Sequence, residues 1–295
     1  TAKNDIVLEA LSQGSTIQSL AGTVSGGGVA GVGIALAVNH MSNSYSASID
    51  NSVLVSGSQG LNLTASNDAS ISSLSASGGG GQVGVNGSIA INFINNQVEA
   101  YLVSSTVTAT QDIKLLAYDY AEIGSIAGTI AGGYYAAVGA SVAVNYIGTT
   151  GNPQLVQAYI LNSDVQSSAG GISIIADSNS IIKSISAAGG GALVGVNGAV
   201  SVNWIYSDTA AFIKNDTGIN KSVTAKGDIS LEAIDRSAIS VIAGNISGGG
   251  LGAGASVAIV FIGNGSLENG DPAKNNQEYK NVADEFTYNQ PTFTN

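Results

Sequence analysis

Ala140-Ser141-Val142-Ala143-Val144-Asn145-Tyr146 is one of five segments of the chain that share a single alternating pattern. The other four lie at 33–40, 87–93, 199–204 and 255–261. Their Asn position falls at 39, 92, 145 and 203, with Val260 last, so successive copies are 53, 53, 58 and 57 residues apart. A fixed period of this length indicates a repeat architecture, and it predicts about five repeats of ~55 residues each.

Two further markers keep the same period. The first is Leu8-Glu9-Ala10, with copies that start at Leu63, Leu115, Ile174 and Leu231, and the second is Ala100-Tyr101-Leu102, with copies that start at Ala158, Ala211 and, in a weaker form, Ala47. The strict alternation in the Asn-bearing segments is the period of a β-strand. Three markers in one register predict an all-β fold, a β-solenoid in which each repeat stacks on the next.

The two faces of the Asn-bearing strand differ in side-chain size. In the second copy one face carries Ile89, Ile91 and Phe93, and the other carries Ser88 and Ala90. Burial of one aliphatic side chain stabilises a fold by about 1.5–3 kcal/mol. We therefore predict that the bulky face is the core and that stacked copies form a continuous apolar stripe inside the solenoid.

The path of the chain within one repeat is open between two arrangements. A repeat folds either into two rungs or into one wide rung with a folded-over Gly-rich hairpin. We favour two rungs, which would give ten rungs at about 4.8 Å each and a rod of about 50 Å. Residues 1–265 hold the repeats, whereas 266–295 leave the pattern and form an acidic tail or a loop insertion. Because residues 5–10 align with 228–233, the chain begins within a repeat, which predicts a fragment of a longer array.

The composition excludes several classes of function. The net charge is −11, with only nine Lys and Arg residues, which argues against nucleic acid as a partner because phosphate binding needs clustered basic side chains. The chain has no Cys and therefore no disulfide scaffold. Residues 124–163 carry no charge, but their glycines and Pro153 break any continuous helix, so we predict no membrane insertion by this segment.

Two recurring positions are candidate site residues. The first series is Asn39, Asn92, Asn145 and Asn203, and the second is His40, Phe93, Tyr146, Trp204 and Phe261. We interpret the Asn series as an internal hydrogen-bonding ladder rather than a row that faces a ligand. We interpret the second series as a buried aromatic stack rather than a sugar-binding strip, because it lies on the bulky face.

No residue is predicted to be catalytic, to bind a cofactor or to bind a metal. The Gly runs are not followed by the Lys-Ser/Thr pair of a phosphate-binding loop, so we interpret them as tight turns or close contacts between sheets. The acidic residues are scattered, and we attribute the closest pair, Asp119 and Glu122, to a solvated turn. Incidental calcium at Asp-rich corners is left open. The chain is predicted not to be an enzyme.

The repeats resemble those of a known family. The stretches SVTAKGDISLEA at 222–233 and IAGTIAGG…VGASVAVNYIG at 126–148 resemble the repeats of filamentous-haemagglutinin-like proteins, and in particular the leukotoxin-family filamentous adhesins of Gram-negative bacteria. The resemblance implies a right-handed parallel β-helix, export across the outer membrane by an autotransporter or two-partner route, and a role in attachment. The chain departs from its own pattern at Val260 and at Gln111-Asp112, where the later copy has Gly227-Asp228.

These observations favour a structural and adhesive stalk segment of a large secreted bacterial surface adhesin, located outside the cell. The expected partners are neighbouring repeats of the same or another chain, and a host surface or glycan. An alternative is a subunit of a self-assembling extracellular filament or surface layer, since the repeat is open at each end. A lower alternative is a carbohydrate-active β-helix protein, which would need converging acids in one groove.

Overall fold

The computed structural model describes residues 4–56 and 59–263. Within this part of the chain 84% of residues lie in strands and none lies in a helix, so the all-β prediction is confirmed. The strands are β1 (Ile6–Leu11), β2 (Ser15–Gly26), β3 (Ala30–Asp50), β4 (Val53–Ser56), β5 (Leu61–Val103), β6 (Thr106–Ala109), β7 (Ile113–Ile147), β8 (Gln154–Leu161), β9 (Asp164–Ser167), β10 (Ile172–Lys214), β11 (Val223–Ala225), β12 (Ile229–Asp235) and β13 (Ala238–Gly263). The predicted tail or insertion at 266–295 lies outside the described residues.

The strands are parallel, and each pairs with the equivalent residues of the next copy of the repeat. β5 pairs with β1, β2 and β3 on one side and with β7 and β8 on the other. β10 likewise pairs with β7 and β8 on one side and with β12 and β13 on the other. This continuous parallel pairing is consistent with a β-solenoid.

The register decides between the two arrangements of a repeat. Leu61 lies opposite Ile6 on one side and Ile113 on the other, which are 55 and 52 residues away in sequence. Two rungs per repeat would instead pair each strand with a strand about half a repeat away in sequence. Our preference for two rungs is therefore wrong, because each repeat forms one wide layer, and the expected length of about 50 Å along the stack is halved.

One part of each layer encloses an apolar core. There the Leu-x-Ala strands and the Ala-aromatic-aliphatic strands face a second sheet, which is made of the short strands in the order β11-β9-β6-β4. Their inward side chains are large and fully buried, and examples are Leu63, Leu102, Leu115, Ile160 and Ile174. We call this part the core lobe.

The other part of each layer is thin, and we call it the thin lobe. In the second layer it comprises residues 69–95, in which the chain runs out, folds over at the glycine run 78–81 and returns. The two halves contact each other, since the Asn86 side chain donates to the carbonyl oxygen of Gly79 at 3.1 Å. Next to the core lobe the interior holds buried isoleucines such as Ile71 and Ile94. Further out small side chains fill it, including the fully buried cluster of Ala90, Ala127 and Ala143.

The thin lobe reverses the predicted orientation of the bulky and small faces. In β3 Ala37 is 5% exposed, whereas its neighbour Val38 is 58% exposed. In β5 Ser88 and Ala90 are fully buried, and Ile89 lies outward and half-buried. The prediction that the bulky face is the core is therefore wrong in this lobe.

The reversal has a steric cause. The two halves of the thin lobe approach so closely that a Cβ atom on Gly84 would lie 2.1 Å from the carbonyl oxygen of Gly132. A Cβ on Gly31 would lie 2.6 Å from the carbonyl oxygen of Gly80. These distances are shorter than van der Waals contact, so the outer part of the interior, beyond the buried isoleucines, has room only for Gly, Ala, Ser, Thr and Asn. The Gly runs thus mark close contacts between sheets.

Candidate functional site

The Asn series forms a continuous column inside the thin lobe. Strand alternation places Asn39, Asn92, Asn145 and Asn203 on the inward face, in register with one another. The side-chain amide of Asn39 donates to Asn92 Oδ1 at 2.7 Å, Asn92 donates to Asn145 Oδ1 at 2.8 Å, and Asn145 donates to Asn203 Oδ1 at 2.7 Å. All four side chains are buried. The column therefore presents no amide to a ligand outside the layer stack.

Serine side chains from the opposite half of the thin lobe complete the ladder. Asn39 also donates to Ser19 Oγ at 2.8 Å, and Asn145 donates to Ser184 Oγ at 3.1 Å. A buried amide that lacked partners would destabilise the fold by about 1–3 kcal/mol. The ladder thus satisfies polar groups where the lobe has no room for aliphatic side chains.

The aromatic series forms a second column, on the outward face of the same strands. The ring centroids of Phe93 and Tyr146 are 5.2 Å apart with an interplanar angle of 11°, and those of Tyr146 and Trp204 are 5.2 Å apart at 71°. His40 and Phe261 continue the column at its two ends, each 6.3 Å from the next ring. His40 is exposed and the other four rings are half-buried. The rings do stack, but the expectation that the stack is buried is wrong.

The geometry of this column does not suit sugar stacking in its middle. The rings of Phe93 and Tyr146 cover each other's faces, so mainly ring edges point to solvent. His40, which is the only histidine of the chain, contacts Phe93. The column buries aromatic area between layers, and it offers no histidine paired with a nucleophile.

A tighter aromatic column lies on the outside of the core lobe. Tyr101 and Tyr159 stack at 5.0 Å and 8°, and Tyr159 and Phe212 stack at 4.9 Å and 4°. Desolvation in this stack, together with the neighbouring Glu99 and Tyr101, raises the pKa of Tyr159 to about 12. In the sequence these residues stand out only as a repeat marker. They stabilise the contact between three successive layers.

A buried polar cluster separates the two lobes, and we call it the waist cluster. It consists of Asn67, Asn96, Asp119, Gln154, Ser178 and Ser180, all fully buried. The amide of Asn67 donates to Asp119 Oδ1 at 2.6 Å, and the amide of Asn96 donates to the same oxygen at 3.1 Å. Gln154 donates to Asp119 Oδ2. Asp119 is thus a carboxylate inside the layer stack, held by the amides of Asn67 and Asn96 from the preceding layer and by that of Gln154 from its own layer.

The waist cluster perturbs the ionisation of Asp119. Desolvation by burial raises the pKa of Asp119 from 3.8 to about 7, against the lowering effect of the Asn67 and Asn96 amides. The nearby carboxylate of Asp68 raises the pKa further. A carboxyl group with this pKa carries a proton for part of the neutral pH range.

Sequence reasoning missed the waist cluster and misassigned Asp119. We attributed Asp119 and Glu122 to a solvated turn, but both lie in β7 and Asp119 is fully buried. The signal was present in the alternation, because Leu115, Ala117 and Asp119 have the same parity and therefore share the inward face. Only Glu122 is on the outside, where its carboxylate pairs with the Lys183 ammonium at 2.8 Å.

The outward surface of the thin lobe carries an open groove of about 530 Å³. It runs across successive layers beside a row of aliphatic side chains that includes Leu20, Leu74, Ile126 and Ile185, and Lys183 lies at its edge. A smaller, more polar hollow of about 220 Å³ lies near the waist, between Asn43, Asn96 and Pro153. Neither hollow brings together paired acids.

The part of the chain that the structure describes contains no group of three or more His, Cys, Asp or Glu side chains placed to bind a metal ion. That same part also contains no helix with the length and hydropathy of a membrane span. Comparisons with protein-family models, with curated proteins and with solved structures find no match for this chain. The geometry of the described residues therefore carries the functional argument.

Proposed function

We propose that the chain is a segment of a right-handed β-solenoid of about five coils, and that it forms part of the structural stalk of a large secreted bacterial surface adhesin. The proposal places the chain outside the cell. Its partners are neighbouring repeats, and a host surface or glycan is the target of the adhesin as a whole. It assigns the chain a mechanical role and no catalytic one.

The observation that carries this proposal is the unbroken register from layer to layer. Ile6, Leu61, Ile113, Ile172 and Ile229 follow one another as direct neighbours across the sheet. Among the described residues, strands of one layer pair only with strands of the adjoining layers. A stack with nearest-neighbour contacts extends in one direction, and each layer supports the next. That is the construction expected of a spacer.

The interior columns support the same role. The Asn ladder and the two aromatic columns join like residues across at least three layers, so load on one layer passes to its neighbours through many parallel hydrogen bonds and ring contacts. Residue types that repeat along the stack bring no catalytic groups together. They favour a uniform structural element over a localised reactive site.

Single-molecule force spectroscopy tests the proposal. A chain held at its two ends should unravel layer by layer, because each layer contacts only its neighbours. The registers give steps of 55, 52, 59 and 57 residues, and each step should release about 170–210 Å of extended chain. A single rupture that releases the whole chain at once would contradict a load-bearing stack of separable layers.

A further inference from the structure

The outward face of the first half of the thin lobe is a regular apolar surface. It is formed by β2, β13 and the corresponding parts of β5, β7 and β10, which pair in register. One row along the stack consists of Leu20, Leu74, Ile126, Ile185 and Ile242, and all five side chains are exposed. We call this row the aliphatic ridge. In the middle layer Ile126 is 44% exposed, although strands pair on both of its sides.

A trough of small residues lies on one side of the aliphatic ridge, and an open groove lies on the other. Two positions further along each strand the row consists of Gly22, Ala76, Gly128, Ala187 and Gly244. On the other side of the ridge lies the groove of about 530 Å³. Its row consists of Gln18, Ser72, Gly124, Lys183 and Ser240. A ridge beside a small-residue trough is complementary to a copy of itself turned by a two-fold axis, since the ridge of each copy then faces the trough of the other.

The size of the face matches an interface between two chains. Five strands at about 4.8 Å and some eleven residues at about 3.3 Å cover roughly 850 Å². A standard interface buries about 800 Å² on each partner, whereas the largest apolar patch on a typical monomer is about 300–600 Å². The face is thus larger than a soluble chain ordinarily leaves in water, and it is large enough for a stable dimer.

The charge distribution favours a second copy over other occupants. Residues 14–49, 69–98 and 184–207 contain no Asp, Glu, Lys or Arg. The one cation beside the aliphatic ridge, Lys183, is already paired with the Glu122 carboxylate at 2.8 Å. Contact between two such faces would bury no unpaired charge, which removes the main electrostatic cost of association. Protein faces that bind a lipid surface normally carry Lys or Arg beside their apolar residues. The net charge of −11 on this chain therefore disfavours lipid as the occupant.

We propose that two copies of this chain associate through the aliphatic ridge, with the ridge of each copy in a small-residue trough of the other. The contact is related by a two-fold axis, because the same face is used on both sides. This inference goes beyond the stalk proposal, which holds equally for a chain that stays monomeric. It makes the thin lobe the surface through which neighbouring solenoids join side by side.

Analytical ultracentrifugation of the full chain over a range of concentrations tests the association. Ile126→Glu places a charge in the middle of the ridge and should raise the dimer Kd at least about 100-fold. Val53→Glu is the matched control, because Val53 is an exposed aliphatic residue of β4 in the core lobe, away from the ridge. It should leave the dimer Kd unchanged. Circular dichroism confirms that both variants fold.

Disulfide trapping checks the geometry, since the natural chain has no Cys. A Leu74→Cys chain mixed with an Ala76→Cys chain should cross-link through ridge and trough, whereas two Val53→Cys chains should not. A chain that sediments as a monomer at every concentration would overturn the proposal. So would an equal effect of the Ile126→Glu and Val53→Glu changes. A monomer in solution that cosediments with neutral phosphatidylcholine vesicles would assign the face to lipid instead.

Discussion

The core lobe and the thin lobe belong to the same strands yet solve the packing problem in opposite ways. In the core lobe the inward side chains are Leu, Ile, Val and Ala, whereas in the outer part of the thin lobe, beyond a cluster of buried isoleucines, they are Gly, Ala, Ser and Asn. The distance between opposed sheets makes the difference. In the core lobe the second sheet of short strands holds the opposed strands apart, so large side chains fill the space. Where the chain folds directly back on itself, only small side chains fit.

The bulky face of a strand is therefore not always its buried face. Hydrophobic burial favours large side chains inside, but close approach of two backbones excludes them. In the thin lobe hydrogen bonds between Asn and Ser replace aliphatic packing, and Val and Ile move to the outside. The lobes should therefore respond differently to substitutions that change side-chain volume.

The largest effect is expected from removing volume in the core lobe. Leu115 is 1% exposed and lies in the apolar cluster, so Leu115→Ala leaves a cavity and should lower the free energy of unfolding by about 2–5 kcal/mol. Leu116→Ala is the control, because Leu116 is adjacent in sequence, points outward and is half-buried. Urea unfolding followed by circular dichroism measures both. Equal losses for the two variants would mean that the core lobe is not tightly packed.

The second prediction concerns pH and the waist cluster between the lobes. Burial raises the pKa of Asp119 from 3.8 to about 7 in the folded chain, so the folded state binds a proton that the unfolded state has released. The contribution of Asp119 to the free energy of unfolding should be fully present below about pH 4 and should be lost as the pH rises through 7. A shift of this size corresponds to at most on the order of 4 kcal/mol.

Unfolding of the natural chain and of Asp119→Asn should be compared between pH 4 and pH 8. The difference between the two curves isolates Asp119, because other carboxyl groups contribute equally to both. Glu122, for example, has a pKa lowered by Lys183 and Tyr120 and contributes the opposite slope. Glu9→Gln, which removes an exposed acid of β1 that has no part in the waist cluster, is the control. Parallel curves for the natural chain and Asp119→Asn would refute a perturbed Asp119.

Much of the fold could be predicted from the sequence, because repeated positions fix both the strands and their neighbours. The steps between Asn39, Asn92 and Asn145 equal the spacing of their hydrogen-bonded side chains across the layers. What the period could not give was the path within one repeat. That path depends on how closely the two halves of the thin lobe approach each other. This contact joins segments about ten to twenty residues apart within one repeat, so the spacing between repeats carries no information about it.

The sequence was enough to predict the positions of the candidate site residues, but not which of them are buried. Alternation assigns Asn145 and Tyr146 to opposite faces, but it does not say which face is inside. We chose the side by size, and in the thin lobe the choice was wrong. Asp119 was missed because acidic residues are expected outside. Its parity with Leu115 and Ala117 was a better guide than its charge.

The smallest of the three effects is expected from adding volume in the thin lobe. Ala143 is fully buried between the two halves, next to Ala90 and Ala127. Ala143→Leu has no space to fill, so it should force the halves apart and lower the free energy of unfolding by about 1–3 kcal/mol. In the core lobe the harmful change is loss of side-chain volume, whereas here it is gain.

Ala140→Leu is the matched control, since it makes the same change three residues away on the exposed outward face of the same strand. It should leave the free energy of unfolding within about 0.5 kcal/mol of the natural value. If Ala143→Leu were instead neutral or stabilising, the thin lobe would have to contain unfilled space. The steric account of its small interior residues, and with it the contrast between the two lobes, would then fail.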